Sequence, residues 1–185
     1  MPAAARRLPG EAGVWVFIFG DLLMFGLFFL TYMAYRADDP ALYRASQLQL
    51  NRGFGLFNTL LLLSSSLAVA LAVQDARAAG RRAPALILAA MACGAGFCAV
   101  KAVEYTEKIA AGITLNSNPF FMFYFAFTGI HLLHVLIGLG VLGFMLSKLH
   151  ARDAGTIGAL EGGGAFWHLV DLLWVVLFAL FYLVR

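Results

Sequence analysis

The chain has 185 residues, 62% of them hydrophobic and only 12% charged, roughly half the charge of an ordinary soluble domain. That composition excludes a soluble globule and describes an integral membrane protein, all-α, built as a bundle of transmembrane helices. Its net charge of +3 is spread over loops, which speaks against nucleic-acid binding.

Five long apolar runs predict five spans, at about 13–35, 54–73, 84–104, 120–147 and 165–184, in one domain covering 1–185. Arg6 and Arg7 precede the first run, Val14 to Tyr35. That run is too long for a signal-peptide core and no small-x-small cleavage site closes it, so it is read as a retained first span. The first loop, Arg36 to Gly53, holds Asp38, Asp39 and Pro40 and is expected to form a short surface helix. The second, Gln74 to Ala83, carries Arg77, Arg81 and Arg82. Cys93 and Cys98 lie inside the third run; five residues apart, they point about 140° away from each other on a helix and cannot bond. Both are read as small packing residues. The third loop follows Glu104, Glu107 and Lys108, a group expected to be a solvated turn at the outer boundary, and continues to Asn116, Asn118 and Pro119. The fourth runs from Lys148 through Gly162–Gly164, glycines expected to hinge the fifth span. No internal repeat is evident, which argues against an inverted-repeat transporter.

Charge predicts orientation. The amino terminus with loops two and four carries Arg6, Arg7, Arg77, Arg81, Arg82, Lys148 and Arg152. The opposite side carries Arg36, Arg44, Arg52, Lys108 and Arg185, leaving Lys101 near a helix end. The bias predicts a cytoplasmic amino terminus and a periplasmic carboxy terminus in a bacterial inner membrane.

The stretch Phe120 to Leu146 is 27 residues without Asp, Glu, Lys or Arg, yet carries His131 and His134 near its middle. A polar ring at that depth needs an internal partner. At 1.5 Å per residue, Asp21 lies roughly 12 Å from the inner boundary, while His134 and Asp171 come out near 9 Å from it. His131 lies a turn further in and His168 a turn nearer the edge. Ser64, Ser65 and Ser66 add hydroxyls near mid-membrane. His131 and His134 share a face, as do His168 and Asp171. Trp167, Asp171 and Trp174 form an i, i+4, i+7 stripe, and Gly138 allows close approach on the histidine face. The expectation is one carboxylate–imidazole network of Asp21, His131, His134, His168 and Asp171, with Trp167 and Trp174 packed around it and Glu104 and Glu161 as further supporting residues. Such a network either fixes helix register or takes part in proton movement or lipid binding.

Other chemistry fits less well. Haem held by two histidines needs facing imidazoles at matched depth, and His131 or His134 with His168 differ by a turn or two. A di-iron carboxylate site wants Glu-x-x-His units, whereas this chain offers His-x-x-His and His-x-x-Asp. No phosphate loop or nucleophile motif appears, so no catalytic, cofactor-binding or metal residues are expected and no cofactor is assigned.

The motifs WVFIFGDLLMFGLFF with Asp21, NRGFGL followed by FNTLLLLSSS, KAVEYTEKI with Glu104 and Glu107, TGIHLLHVLIG, and FWHLVDLLW preceded by Glu161 occur in this order. In that order they resemble the subunit III family of haem-copper oxidases, from Gly13 to Tyr182. The chain resembles the shorter five-span form, which lacks the first two helices of the seven-span cytochrome c oxidase form and hence one wall of its lipid-holding cleft. Position 21 is Asp where mitochondrial-type proteins carry Glu, and this and the five-span form are both shared with quinol-oxidase subunit III and with the accessory protein of bacterial nitric oxide reductase. NRGFGLFNTLLLLSSS and EYTEKIAAGIT look closest to that accessory branch.

The resemblance implies a subunit without its own active site, packed among membrane lipids against a haem-containing catalytic oxidase or reductase subunit. It would support that partner's assembly, stability or turnover in aerobic or denitrifying electron transport. The alternatives are a haem-carrying membrane electron-transfer protein and a small five-helix transporter.

Overall fold

The computed structural model describes residues 12–151 and 155–184. Arg6, Arg7, Arg152 and Arg185, four of the charges used for orientation, lie outside the described residues. The elements are α1 (Ala12–Asp38), α2 (Pro40–Gln47), α3 (Arg52–Arg77), α4 (Ala83–Ala110), α5 (Pro119–Ala151) and α6 (Thr156–Phe178), extended by a π-helical turn at Ala179–Leu183. Among the described residues, five helices are long and apolar enough to cross a membrane: α1, α3, α4, α5, and α6 with its terminal turn. The expected surface helix in the first loop is α2.

Local chemistry sets the helix ends. Asp39 Oδ1 accepts from the Leu42 amide at 3.1 Å and Pro40 opens α2. Asn51 caps α3 through the Gly53 amide, and Asn118 Oδ1 accepts from the Phe121 amide ahead of α5. Asp75, near the end of α3, accepts from the amides of Arg82 and Ala83 and so caps the start of α4 across the loop. Gly112, at φ 76°, provides the left-handed residue that ends α4.

Helices α3, α4, α5 and α6 pack as a ring in which α6 closes against α3; α1 lies outside against α5 and α6, and α2 touches α1 and α5. α1 is the least buried span. It meets the ring along one seam, Ile18, Asp21, Phe25, Phe28 and Tyr32, whose 3–4–3–4 spacing is that of a coiled-coil stripe. Phe25 and Phe28 engage His134 and Phe127 on α5, while Tyr32 stands edge-on to Tyr43, Phe123 and Phe181.

The fifth span begins at Thr156, nine residues before the expected boundary. Gly162, Gly163 and Gly164 are therefore buried inside a helix and do not form a hinge. The physical reason is close packing: a methyl at Gly163 would come 2.5 Å from Met145 Sδ on α5. Gly138 plays the matching part on α5, where an added methyl would come 2.6 Å from the Trp167 ring. The predicted close approach on the histidine face is made by that tryptophan.

At the far end of α6 the π-helical turn leaves the carbonyls of Leu180 and Val184 to be met from elsewhere. Gln47 Nε2, reaching over from α2, donates to both, at 2.9 and 2.8 Å. The widened turn also lets two adjacent residues, Phe181 and Tyr182, point into the interior.

Candidate functional site

The five residues expected to form one network occupy three separate places. Asp21 on α1 meets His134 on α5, with Oδ1 3.1 Å from Nε2. The other ring nitrogen, Nδ1, is 2.8 Å from the Ile130 carbonyl oxygen, which can only accept, so Nδ1 carries a proton. A hydrogen bond at Nε2 then requires one further proton, on the ring or on the carboxyl. Either way the pair is neutral in sum, the form in which it costs least to bury.

His168 lies one turn from Asp171 on α6, its Nδ1 3.8 Å from Oδ2, and its ring is hydrogen-bonded to Ser66 Oγ on α3 at 2.6 Å. This pair is part-exposed. His131 is fully buried between the rings of Phe97 and Trp174, and neither of its nitrogens has a hydrogen-bond partner. Among the described residues no hydrogen bond or ion pair joins these three groups. Equal depth on different helices did not produce contact, because the α1 seam and the α6 face point into different interfaces. Trp174 Nε1 donates to Thr59 Oγ1 at 3.0 Å, and Trp167 fills the space against Gly138.

The best-connected buried charge lies elsewhere, at the end of α4. Lys101 and Glu104 are fully buried. Lys101 Nζ donates to Glu104 Oε2 at 2.8 Å and to the hydroxyls of Tyr124 and Tyr182 at 3.1 and 3.2 Å. The Tyr182 hydroxyl in turn donates to Glu104 Oε1 at 2.6 Å. The ammonium sits 4.9 Å from the Tyr124 ring centre and 5.0 Å from that of Trp174. Beside this cage Tyr105 is hydrogen-bonded to Thr128 at 2.6 Å. Three helices and the terminal π-helical turn thus close one satisfied ionic cluster, which ties α4, α5 and α6 at that end.

These motifs belong to chains of known kind. A profile of cytochrome c oxidase subunit III matches residues 8–184. The chain belongs to the cytochrome c oxidase subunit III family. Cytochrome c oxidase subunit 3 of Thermostichus vulcanus is 33% identical to it, over 92% of this chain and 85% of that protein. Cytochrome bo(3) ubiquinol oxidase subunit 3 of Pseudomonas putida is 29% identical, over 92% and 84%. Heme-copper oxidase subunit I+III of Aeropyrum pernix is 27% identical over 94% of this chain, which spans only 22% of that longer protein. Subunit III of haem-copper oxidases is a non-catalytic, multi-pass membrane subunit, and this chain is of that kind.

In this subunit III the sequence reading misplaced Glu104 and overlooked Lys101, Tyr124 and Tyr182. Glu104 was expected in a solvated turn, whereas α4 continues to Ala110 and carries it inside the bundle. The available signal was the i, i+3 spacing of Lys101 and Glu104, which puts opposite charges on one face. Glu107, a turn further on, is exposed, and Lys108 reaches the Gln49 carbonyl. Glu161 binds Arg77 across the α3–α6 interface at 2.7 Å. No group of three His, Cys, Asp or Glu side chains placed to hold a metal is found among the described residues.

Proposed function

We propose that this chain is the accessory subunit III of a haem-copper-type terminal oxidase, packed in the bacterial inner membrane against the haem-carrying catalytic subunit and supporting its assembly, stability or turnover. The full-length match over residues 8–184 carries this reading. It is supported by the A. pernix relative, whose name joins subunits I and III in one chain. A surface for such a partner is present on α1, where Phe19, Leu23, Leu27 and Leu30 are exposed. The buried polar pairs serve in this reading to fix helix register and depth, since each side chain of the Lys101–Glu104 cluster is satisfied inside the chain.

The proposal includes a cytoplasmic amino terminus. Among the described loop charges the two sides balance, Arg77, Arg81, Arg82 and Lys148 against Arg36, Arg44, Arg52 and Lys108. The bias rests on Arg6, Arg7 and Arg152 against Arg185.

Affinity purification of the tagged chain from native membranes in mild detergent tests the reading. A haem-containing subunit should copurify, while the chain expressed alone shows no Soret band. A Soret band in the chain alone would replace the reading with a haem-carrying electron-transfer protein. Substrate flux in proteoliposomes containing this chain alone would replace it with a transporter. The two stretches NRGFGLFNTLLLLSSS and EYTEKIAAGIT favour, as a second reading, an accessory of nitric oxide reductase. Membranes lacking the chain decide between them: slowed oxygen consumption supports the oxidase, slowed nitric oxide consumption the reductase.

A further inference from the structure

The last span begins at Thr156, and this moves His168 from the edge of the membrane toward its middle. The span is 28 residues long, and His168 lies about 18 Å along a helix of roughly 42 Å. Its hydrogen-bond partner Ser66 lies about 21 Å along α3, which has 26 residues. Two helices thus place this contact near the mid-plane. The His168 side chain is nevertheless 43% exposed, where the α3–α6 seam faces out of the bundle.

Only one side of the ring is engaged. Nδ1 meets Ser66 Oγ at 2.6 Å and stands 3.8 Å from Asp171 Oδ2. Nε2 has no hydrogen-bond partner among the described residues. In either tautomer that nitrogen is a donor or an acceptor, and hydrocarbon offers it nothing. Ionisable side chains at this depth face a bundle interior or a water-filled cavity, so an outward histidine marks a surface covered by protein. A phospholipid headgroup does not reach it, since half of the apolar core, about 15 Å, lies between.

The seam around His168 suits a helix. Ser66 and Ala70 are four residues apart on α3, and Ala165 lies one turn before His168 on α6; all three are small and part-exposed. Leu63, one turn before Ser66, and Leu172, one turn after His168, are exposed beside them. Small residues let a further helix approach closely, and a polar group among them supplies a hydrogen bond across the contact. At one end of the seam Arg77 and Glu161 neutralise each other, so the occupant needs to bring no counter-charge.

We propose that the α3–α6 seam at His168 is an intramembrane contact for a transmembrane helix of the catalytic subunit, which presents a hydroxyl or carboxamide side chain to His168 Nε2. This contact rests on the reading of the chain as an oxidase subunit III.

The test uses the complex purified from native membranes in mild detergent through the tagged chain. A photoreactive benzoylphenylalanine replacing Leu172 should crosslink to the haem-carrying subunit, as mass spectrometry of the adduct shows. His168→Leu should weaken association about threefold, the loss of one intramembrane hydrogen bond, read as haem retained per tagged chain on dilution. His168→Gln, which keeps a donor and an acceptor, should retain most of it. The unfolding midpoint of the isolated His168→Leu chain should stay near that of the wild type, which separates loss of the contact from loss of the fold. A haem-carrying subunit that copurifies without a crosslink at position 172, or undiminished association in His168→Leu, would overturn the contact while leaving the subunit III reading intact. A crosslink only to lipid or to a second copy of this chain would likewise overturn it. A wild-type preparation without any haem-carrying subunit would remove the reading itself, and the contact with it.

Discussion

Asp21 on α1 and His134 on α5 meet at 3.1 Å, a polar tie between the outlying helix and the ring of four, beside the Tyr32 hydroxyl that donates to the Leu180 carbonyl at 3.5 Å. The tie is directional, because the Ile130 carbonyl holds the other ring nitrogen and so fixes the imidazole toward Asp21. Around it the α1 seam is aromatic and aliphatic, so the pair adds a directional contact to the packing of Ile18, Phe25, Phe28 and Tyr32.

A double-mutant cycle follows from this pair. Asp21→Leu or His134→Leu alone should cost about 1–3 kcal/mol, by stranding the other group in an apolar interior. The double variant should recover part of that loss, since two apolar side chains replace a satisfied pair at little cost. Unfolding midpoints of the singles and the double in detergent measure the coupling. Asp171→Leu combined with His134→Leu should instead be additive, because Asp171 pairs with His168.

The Lys101 cage should be less forgiving. Lys101→Met leaves Glu104 buried without its cation, and a broken buried pair costs about 3–5 kcal/mol. Adding Glu104→Gln should restore stability, with Tyr182 still able to donate to the amide oxygen. If Lys101→Met alone unfolds at the wild-type midpoint, the cluster does not hold the helices.

Close packing gives a steric prediction. Gly138→Ala places a methyl 2.6 Å from the Trp167 ring and should destabilise by about 1–3 kcal/mol, the usual cost of overpacking. Trp167→Phe in the same chain should relieve it, because the smaller ring frees the contacted space. Additive losses in the two-site variant would show that the clash is not what matters.

Topology is open to direct labelling. With Cys93 and Cys98 replaced by Ala, a cysteine introduced at Ala41, in the exposed part of α2, should react with an impermeant maleimide in intact cells. Reaction only after permeabilisation would put the amino terminus outside.

Length and hydropathy determined the class and the number of spans, because a bilayer core admits only long apolar helices whose backbone bonds are internal, and the polar loop holding Asp38, Asp39 and Pro40 pointed to the surface helix. Motif order carried the family, and within those motifs Gly138, His134 and Trp167 sit where helices touch. What lay beyond the sequence was which polar groups meet. Depth along each helix can be counted from the sequence, but the azimuth at which a helix presents a side chain depends on its neighbours. Asp21 found His134 and not Asp171 because the α1 seam turns toward α5. Glu104 became a buried ion because α4 runs past the end of its apolar stretch, and Tyr182 reached it only because the carboxy-terminal turn widens. Tertiary packing decided those partners, since a charge inside a membrane protein is placed by the group that satisfies it and not by the hydropathy of its own segment.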